Sequence, residues 1–216
     1  MSHFPVAVIL PIITNETAGG DRAVYDQLLP YMENCCAEPP LEFMEFVEDE
    51  DCDLDERAGR RGYWQNPNAK WDWYVIGGRF RGLLRLRGGG RSNYAEIRDI
   101  DTSRDEPAYR AALAFWDYKV GGAEKPPHLS LYDDSWKPEY YTERFGDRET
   151  FARFKSDFLF RAVVTPDRKW HEVGEMGWWG VSFETHEGIV DWIDHYHDRF
   201  VTPYMDHMLV VVDCHI

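Results

Sequence analysis

Long apolar runs, closely spaced cysteine pairs and an export signal are all missing from this 216-residue sequence. No stretch of about 18 apolar residues occurs, so we expect no contact with a membrane. Residues 1–4 carry none of the basic side chains that begin a secretory signal peptide, which favours a cytoplasmic protein. No two cysteines have the spacing of a zinc site, and we expect no metal. The four cysteines, interpreted as reduced thiols, are Cys35, Cys36, Cys52 and Cys214.

Motifs of the common enzyme classes are also absent. There is no Walker A loop, no Gly-x-Ser-x-Gly element and no dinucleotide fingerprint, so we expect no cofactor. His128-Leu129-Ser130 is a single copy of an element that two-histidine phosphoesterases contain twice. A calcium loop beginning at Asp51 fails at two positions, because Glu56 replaces the required glycine and Gly62 replaces the required glutamate.

Charge is distributed unevenly along the chain. The net charge of −15 disfavours duplex DNA as a partner, because repulsion would act over most of the surface. Residues 45–56 include eight acids, and an irregular acidic loop is predicted at about residues 48–60. Residues 57–91 instead hold nine basic residues and one acid, together with several of the nine tryptophans.

This basic segment predicts an anion site built on a strand. Side chains alternate along a strand, so the arginines of residues 79–87 would share one face. Trp71 and Trp73 would share a face of the preceding strand, and a hairpin would bring their rings beside the guanidinium groups, an arrangement that suits a nucleotide. The predicted ligand-binding residues are Asn66, Asn68, Lys70, Trp71, Asp72, Trp73, Tyr74, Arg79, Arg81, Arg85 and Arg87.

A structural interpretation of the same residues stays open. The arginines are equally suited to neutralise the acidic loop or to form interstrand ion pairs, which contribute about 0–1 kcal/mol each at a surface and need no ligand. Trp71 and Trp73 would then be core residues.

The histidines offer candidates for proton transfer. His171 and His215 are candidate general acids or bases if either faces the arginines, although a structural role for each is an alternative. Asp191 and His195 are spaced as two metal ligands on one helix face, and the alternative is a solvated face.

Helix and strand patterns interleave and predict one α+β domain over residues 1–216. We expect a mixed or mostly antiparallel sheet with about four helices packed on it, and an irregular connection at about residues 121–146. Strands are predicted at 6–13, 41–47, 71–76, 79–87, 158–164 and 208–212. Helices are predicted through Val24 and Leu28, after a capping box at Ser103 and Glu106, through Phe151 and Phe154, and over 189–200.

The segment Asn66-Pro67-Asn68-Ala69-Lys70-Trp71-Asp72-Trp73-Tyr74-x-x-Gly77-Gly78-Arg79 resembles the signature of a family of bacteriophage and prophage proteins, also found in some Gram-positive bacteria. The resemblance extends to residues 29–34, to Met176-Gly177-Trp178-Trp179-Gly180 and to the ending Asp213-Cys214-His215-Ile216. It implies a phage context rather than a reaction. Small phage proteins often act on host defences, some by sequestering or destroying nucleotide signals.

Three classes of function follow. The first is a protein that binds a small phosphorylated, nucleotide-type anion, as a counter-defence protein that sequesters a nucleotide signal in the host cytoplasm. The second is a metal-independent phosphodiesterase or ribonuclease in which His171 or His215 transfers protons. The third is an acidic interaction protein that binds a host protein.

Overall fold

A computed structural model describes residues 3–11, 19–33, 39–126, 135–176 and 182–216. Several features singled out in the sequence lie outside these residues. They are Ile12 and Ile13 of the first predicted strand, Asn34, the pair Cys35 and Cys36, the His128-Leu129-Ser130 element, and residues 177–180 of the glycine-tryptophan segment.

The described residues form five α-helices and thirteen strands. The helices are α1 (Gly19–Leu28), α2 (Glu106–Lys119), α3 (Pro138–Phe145), α4 (Arg148–Ser156) and α5 (His186–Tyr196). The strands are β1 (His3–Pro11), β2 (Glu45–Glu48), β3 (Leu54–Asp55), β4 (Arg60–Gln65), β5 (Trp73–Ile76), β6 (Leu84–Arg85), β7 (Arg91–Ser92), β8 (Tyr94–Glu96), β9 (Ala162–Val164), β10 (Trp170–Glu172), β11 (Glu175–Met176), β12 (Ser182–Phe183) and β13 (His207–His215).

A mixed sheet in the order β10-β9-β1-β13-β5 forms the centre of the molecule, and β8 also pairs with β13. Strands β1 and β13 run antiparallel from the pair His3 and His215 to the pair Pro11 and His207, whereas β1 and β9 are parallel. The predicted α+β domain is therefore confirmed, with five described helices instead of about four.

Helices cover both faces of this sheet. Ala7 and Ile9 of β1 belong to a first core with residues of α2, α3, α4 and α5, whereas Val6, Val8 and Leu10 belong to a second core with residues of α1. Successive side chains of a strand point to opposite faces, so a continuous apolar strand must be covered on both sides. None of the helices described is long and apolar enough to cross a membrane.

Some element boundaries differ from the prediction. Asp105, not Ser103, caps α2, because its carboxylate accepts a hydrogen bond of 3.0 Å from the Ala108 N–H. The predicted irregular connection at 121–146 contains helix α3. The acidic loop at 48–60 is part of a small antiparallel sheet in the order β2-β4-β3. Of the predicted strand at 158–164, only β9 (Ala162–Val164) is a strand in the structure.

Candidate functional site

The four arginines of residues 79–87 do not share one face of a strand, so the predicted arrangement of their side chains is wrong. Arg79 lies in a 3-10 turn, Gly78–Phe80, and Arg85 ends the short strand β6. Strand β5 pairs with β13 and not with the arginine segment, so the predicted hairpin does not form. The physical reason is the left-handed backbone of Gly77, Gly78 and Gly82, with φ of 74°, 46° and 69°, which turns the chain where a continuous strand was expected.

The arginine segment is instead dispersed over the surface. Arg79, Arg81 and Arg87 are exposed. The Arg85 guanidinium donates to the Ser103 carbonyl and lies 3.8 Å from the Asp101 carboxylate. These surroundings supply local ion pairing and give no convergent set of donors.

The acidic loop is neutralised by other arginines. Arg60 pairs with Glu48, and Arg61 donates to the carbonyls of Glu50 and Cys52 at 3.0 and 2.9 Å. The alternative interpretation expected acid-loop pairing from residues 79–87. The described contacts assign that role to β4.

Residues 66–71 form hydrogen bonds to the backbone at the end of α1 and just after it. The Asn66 amide donates to the carbonyls of Pro30 and Met32 at 2.9 and 3.0 Å. The Trp71 indole donates to the Leu28 carbonyl at 2.9 Å and is only 2% exposed. Trp71 is therefore a core residue, as the structural interpretation had it.

The other polar residues of this segment also have partners. Lys70 pairs with Glu172 at 2.9 Å. The Tyr74 hydroxyl donates to Asp21, and burial with this contact raises the pKa of Tyr74 above its usual value. Asn68 is exposed.

Asp72 and Trp73 take part in a cluster of charged and aromatic side chains at the end of the central sheet. His215 Nδ1 lies 2.6 Å from the Asp72 carboxylate, and His3 Nδ1 lies 2.9 Å from the Asp213 carboxylate. The two imidazole centres are 5.0 Å apart, and Trp73 stacks on His215 at 5.1 Å. We call these five residues the histidine–aspartate cluster.

Backbone geometry fixes this cluster. The Arg79 N–H donates to Asp213 Oδ2 at 2.8 Å. A Cβ on Gly78 would lie 2.4 Å from the same oxygen, so only glycine allows this approach. Of the predicted residues, Asp72, Trp73 and His215 thus meet here, joined by the backbone of Arg79.

A second cluster surrounds one buried carboxylate. The Glu184 side chain is 0% exposed and pairs with Arg144 and, at 3.4 Å, with Arg161. Lys155, on α4, acts electrostatically on the same group. Arg144, Lys155, Arg161 and Glu184 are called the cationic cluster. It contains three cations and a single carboxylate.

The cationic cluster is electrostatically strained. Burial lowers the pKa of Lys155 to about 8, and the neighbouring Arg161 and Arg144 lower it further than Glu184 raises it. Lys155 is nevertheless exposed at the surface, and the Arg161 side chain is 43% exposed. The Arg144 Nε atom is buried and has no hydrogen-bond partner among the described residues. Excess positive charge and an unused donor are features of a site for an anion.

Aromatic rings line the same cluster. Trp136 is 51% exposed and stacks on Tyr140 at 4.7 Å with an interplanar angle of 18°. The Arg144 guanidinium lies 5.5 Å from the centre of the Tyr140 ring, and Arg161 lies 5.2 Å from that of Phe154. Cations beside aromatic rings, predicted for residues 64–87, therefore occur at this second place.

His171 lies in neither cluster. It lines a cavity of about 450 Å³ together with Thr165, Asp167, Lys169, Trp192, Arg199, Phe200 and Tyr204. Its Nε2 atom is 3.1 Å from the Thr165 hydroxyl, which donates to Asp167 at 2.6 Å.

The charges around this cavity are matched. Burial lowers the pKa of His171. Lys169 pairs with Asp167 at 2.8 Å, and Arg199 pairs with Asp191 at 2.6 Å. A cavity whose cations already have carboxylate partners offers little to a phosphate. His171 and His215 occupy strands β10 and β13, which are separated by two other strands, so they belong to different sites.

Asp191 and His195, which are spaced as two metal ligands, contact each other in the structure. His195 Nδ1 lies 3.1 Å from the Asp191 carboxylate, which is also held by Arg199. Within the part of the chain that the structure describes, no three histidine, cysteine, aspartate or glutamate side chains are grouped to hold a metal ion.

No family model, no curated protein and no solved structure matches this chain. We therefore infer function from the geometry of the two clusters.

Sequence reasoning missed several residues of these clusters. Arg144, Lys155 and Arg161 lie on α3, on α4 and just before β9, and Glu184 follows 23 residues after Arg161, so no local spacing marks the four as a group. Asp213 carried a usable signal, because residues two apart in a strand share a face, which places it beside His215.

Proposed function

We propose that the protein binds a small phosphorylated anion of nucleotide type at the cationic cluster. The observation that carries this proposal is the uncompensated charge there, three cations around the single carboxylate of Glu184. Cations crowded around one carboxylate repel one another, and a phosphate would supply the missing negative charge.

The donors of the cluster suit a phosphate group. Arg144 Nε has an unused N–H, and guanidinium groups match phosphate oxygens through pairs of parallel hydrogen bonds. Lys155 makes no hydrogen bond or ion pair to a described residue and contributes a compact positive charge. A base would stack on the exposed ring of Trp136, which Tyr140 supports from the other side.

A biological role extends the same proposal. A protein that holds a nucleotide without releasing it lowers the free concentration of that nucleotide in the cell. The resemblance of the segment ending at Arg79 to phage proteins supports a counter-defence protein that sequesters a nucleotide signal of the host.

Native mass spectrometry tests the binding proposal. The protein is mixed with a panel of nucleoside mono-, di- and triphosphates and cyclic di- and trinucleotides, and we expect one discrete adduct. Lys155→Gln should abolish the adduct. Arg87→Gln removes one charge from an exposed arginine of residues 79–87 and should keep the adduct.

Two results would overturn the proposal. One is the absence of any adduct across the panel, which would favour a protein partner. The other is an adduct that survives in Lys155→Gln and disappears in Arg87→Gln, which would return the site to the arginine segment. Thermal melting of each variant establishes that it is folded.

A further inference from the structure

Strand register places the two clusters at the same end of the central sheet. Val6 of β1 pairs with Ala162 of β9, so Arg161, one residue earlier, lies alongside Pro5. On the other side of Pro5, β13 contributes Asp213. Neighbouring strands lie about 4.8 Å apart, so the Cα atoms of Arg161 and Asp213 are separated by about 10 Å.

The side chains of Arg161 and Asp213, one from each cluster, lie on the same face of the sheet. Val163 and Val211 belong to the first core, and each is two residues from a cluster residue, Arg161 and Asp213 respectively. Residues two apart in a strand point the same way, so both cluster residues face the side of the first core. His3 pairs with His215 one step further toward the sheet end.

The hydrogen bonds of the histidine–aspartate cluster fix which ring nitrogens are basic. A carboxylate only accepts hydrogen bonds, so the Nδ1 atoms of His3 and His215 are the donors to Asp213 and Asp72. In a neutral ring the lone pair is then on Nε2. His215 Nε2 is buried and has no partner among the described residues. This nitrogen is therefore a positioned base, and none of the described residues donates a hydrogen bond to it.

We infer that the protein hydrolyses a phosphodiester of the nucleotide class, with His215 and His3 as its proton-transfer pair. This inference rests on the proposed function, because the cationic cluster holds the phosphate. Asp72 and Asp213 are positioning residues that orient the two rings. Trp73 packs against both imidazoles, at 5.1 and 5.3 Å between centres, and limits their rotation.

The reaction step needs water as its only co-reactant. Neutral His215 removes a proton from water at Nε2 while the water oxygen forms a bond to phosphorus. The bond from phosphorus to the leaving oxygen breaks, that oxygen keeps the electron pair, and protonated His3 supplies its proton. The products are a phosphomonoester and an alcohol, with the proton now on His215, and exchange with solvent restores both rings. Arg144, Lys155 and Arg161 stabilise the charge that develops on the phosphoryl oxygens.

Turnover is measured with cyclic dinucleotides, by phosphorus NMR, because their sugar alkoxide leaving group needs the proton that His3 supplies. Positioned proton transfer contributes roughly 100-fold or more, so His215→Ala and His3→Ala should each lose that factor in kcat. Adduct formation in native mass spectrometry should stay within about threefold of the unchanged protein. His195→Ala, which removes an exposed histidine from α5, serves as the control and should keep full activity.

Asp72→Asn gives a readout that a merely structural residue would not change. Loss of the carboxylate frees the His215 ring to turn, so kcat should fall while KM stays constant, and Asp72→Glu, which keeps a carboxylate, should restore part of kcat.

The outcomes separate the two proposals. Binding without turnover in the unchanged protein, or full turnover in both histidine variants, overturns hydrolysis and leaves the binding proposal in place. Turnover that survives Lys155→Gln and Arg161→Gln overturns the location of the phosphate.

Discussion

Two basic regions of this protein differ in how their charges are held. Residues 79–91 carry five arginines close together in sequence, and most of those side chains lie in solvent or contact nearby carbonyls and carboxylates. The cationic cluster draws Arg144, Lys155 and Arg161 from separate elements around a carboxylate that solvent does not reach. Arginines that follow one another along one segment form a dispersed surface, whereas cations from separate elements converge on one carboxylate.

The difference matters because contact with solvent determines the free energy needed to hold a charge in the folded protein. An exposed arginine is hydrated and screened by salt, so it needs no partner. Cations packed into a cluster lose part of their hydration and repel one another, and the lowered pKa of Lys155 reflects both effects. The following predictions test this contrast.

The largest effect is expected from removing the central carboxylate. Glu184→Gln leaves Arg144 and Arg161 without their anion, and breaking such a buried arrangement should lower the free energy of unfolding by about 3 kcal/mol. Asp101→Asn makes the same chemical change at a carboxylate that is 36% exposed, 3.8 Å from Arg85, and should cost about 1 kcal/mol or less. Urea denaturation measures both. Equal losses would mean that the two regions hold charge in the same way.

Charge-reversal variants of the two regions should differ in their affinity for a nucleotide. Lys155→Glu should weaken nucleotide binding about 100-fold, because a charged hydrogen bond is replaced by repulsion. Arg81→Glu makes the same reversal at an exposed position and should stay within about threefold, apart from long-range effects that salt removes. Isothermal titration calorimetry gives both dissociation constants. The reverse ranking would identify the arginine segment as the site.

Trp136→Ala tests the aromatic part of the cationic cluster. Stacking on a base contributes about 1–3 kcal/mol, so nucleotide affinity should fall about tenfold or more. Affinity for inorganic pyrophosphate, which has no base, should not change, and this ligand is the internal control. A parallel loss with both ligands would show that Trp136 supports the fold of the cluster and does not stack on a ligand.

The smallest effect expected is a dependence on pH. The pKa of Lys155 is lowered to about 8 from an ordinary 10.5, so its ammonium group loses its proton as pH rises through about 8. Phosphate binding should weaken severalfold between about pH 7 and pH 9.5, and Lys155→Arg, which stays charged, should abolish this dependence.

The stability of the free protein should change in the opposite direction. Between the two pKa values the unfolded chain binds more protons, so the free energy of unfolding should rise with pH from about 8 to 10.5. A flat profile in calorimetry, or one identical in Lys155→Arg, would contradict the lowered pKa.

Much of the fold was predictable because local patterns agree with tertiary packing. The apolar run at 6–10 is a buried strand, and the spacing of Ile189, Trp192 and Ile193 gives the buried face of α5. Helix α3 was missed although Tyr141 and Phe145 have helical spacing, since nearby glycines and prolines suggested an irregular connection.

The site was predictable only in part. The sequence placed Asp72, Trp73 and His215 among the candidate residues, yet their meeting depends on the pairing of β5 with β13, which no local pattern specifies. The shared face of the arginines failed because it assumed an unbroken strand through Gly82. Contacts around Glu184 are tertiary, and their members have no common spacing.

The pairing of β1 with β13 has a consequence for how the chain is made. On a ribosome, β1 emerges long before β13, the antiparallel partner that covers one of its edges. Until β13 has been made, that edge of β1 has free backbone donors and acceptors, which favours pairing with other nascent chains. The central sheet is therefore completed only when β13 inserts between β1 and β5, and high expression should favour aggregation before that step.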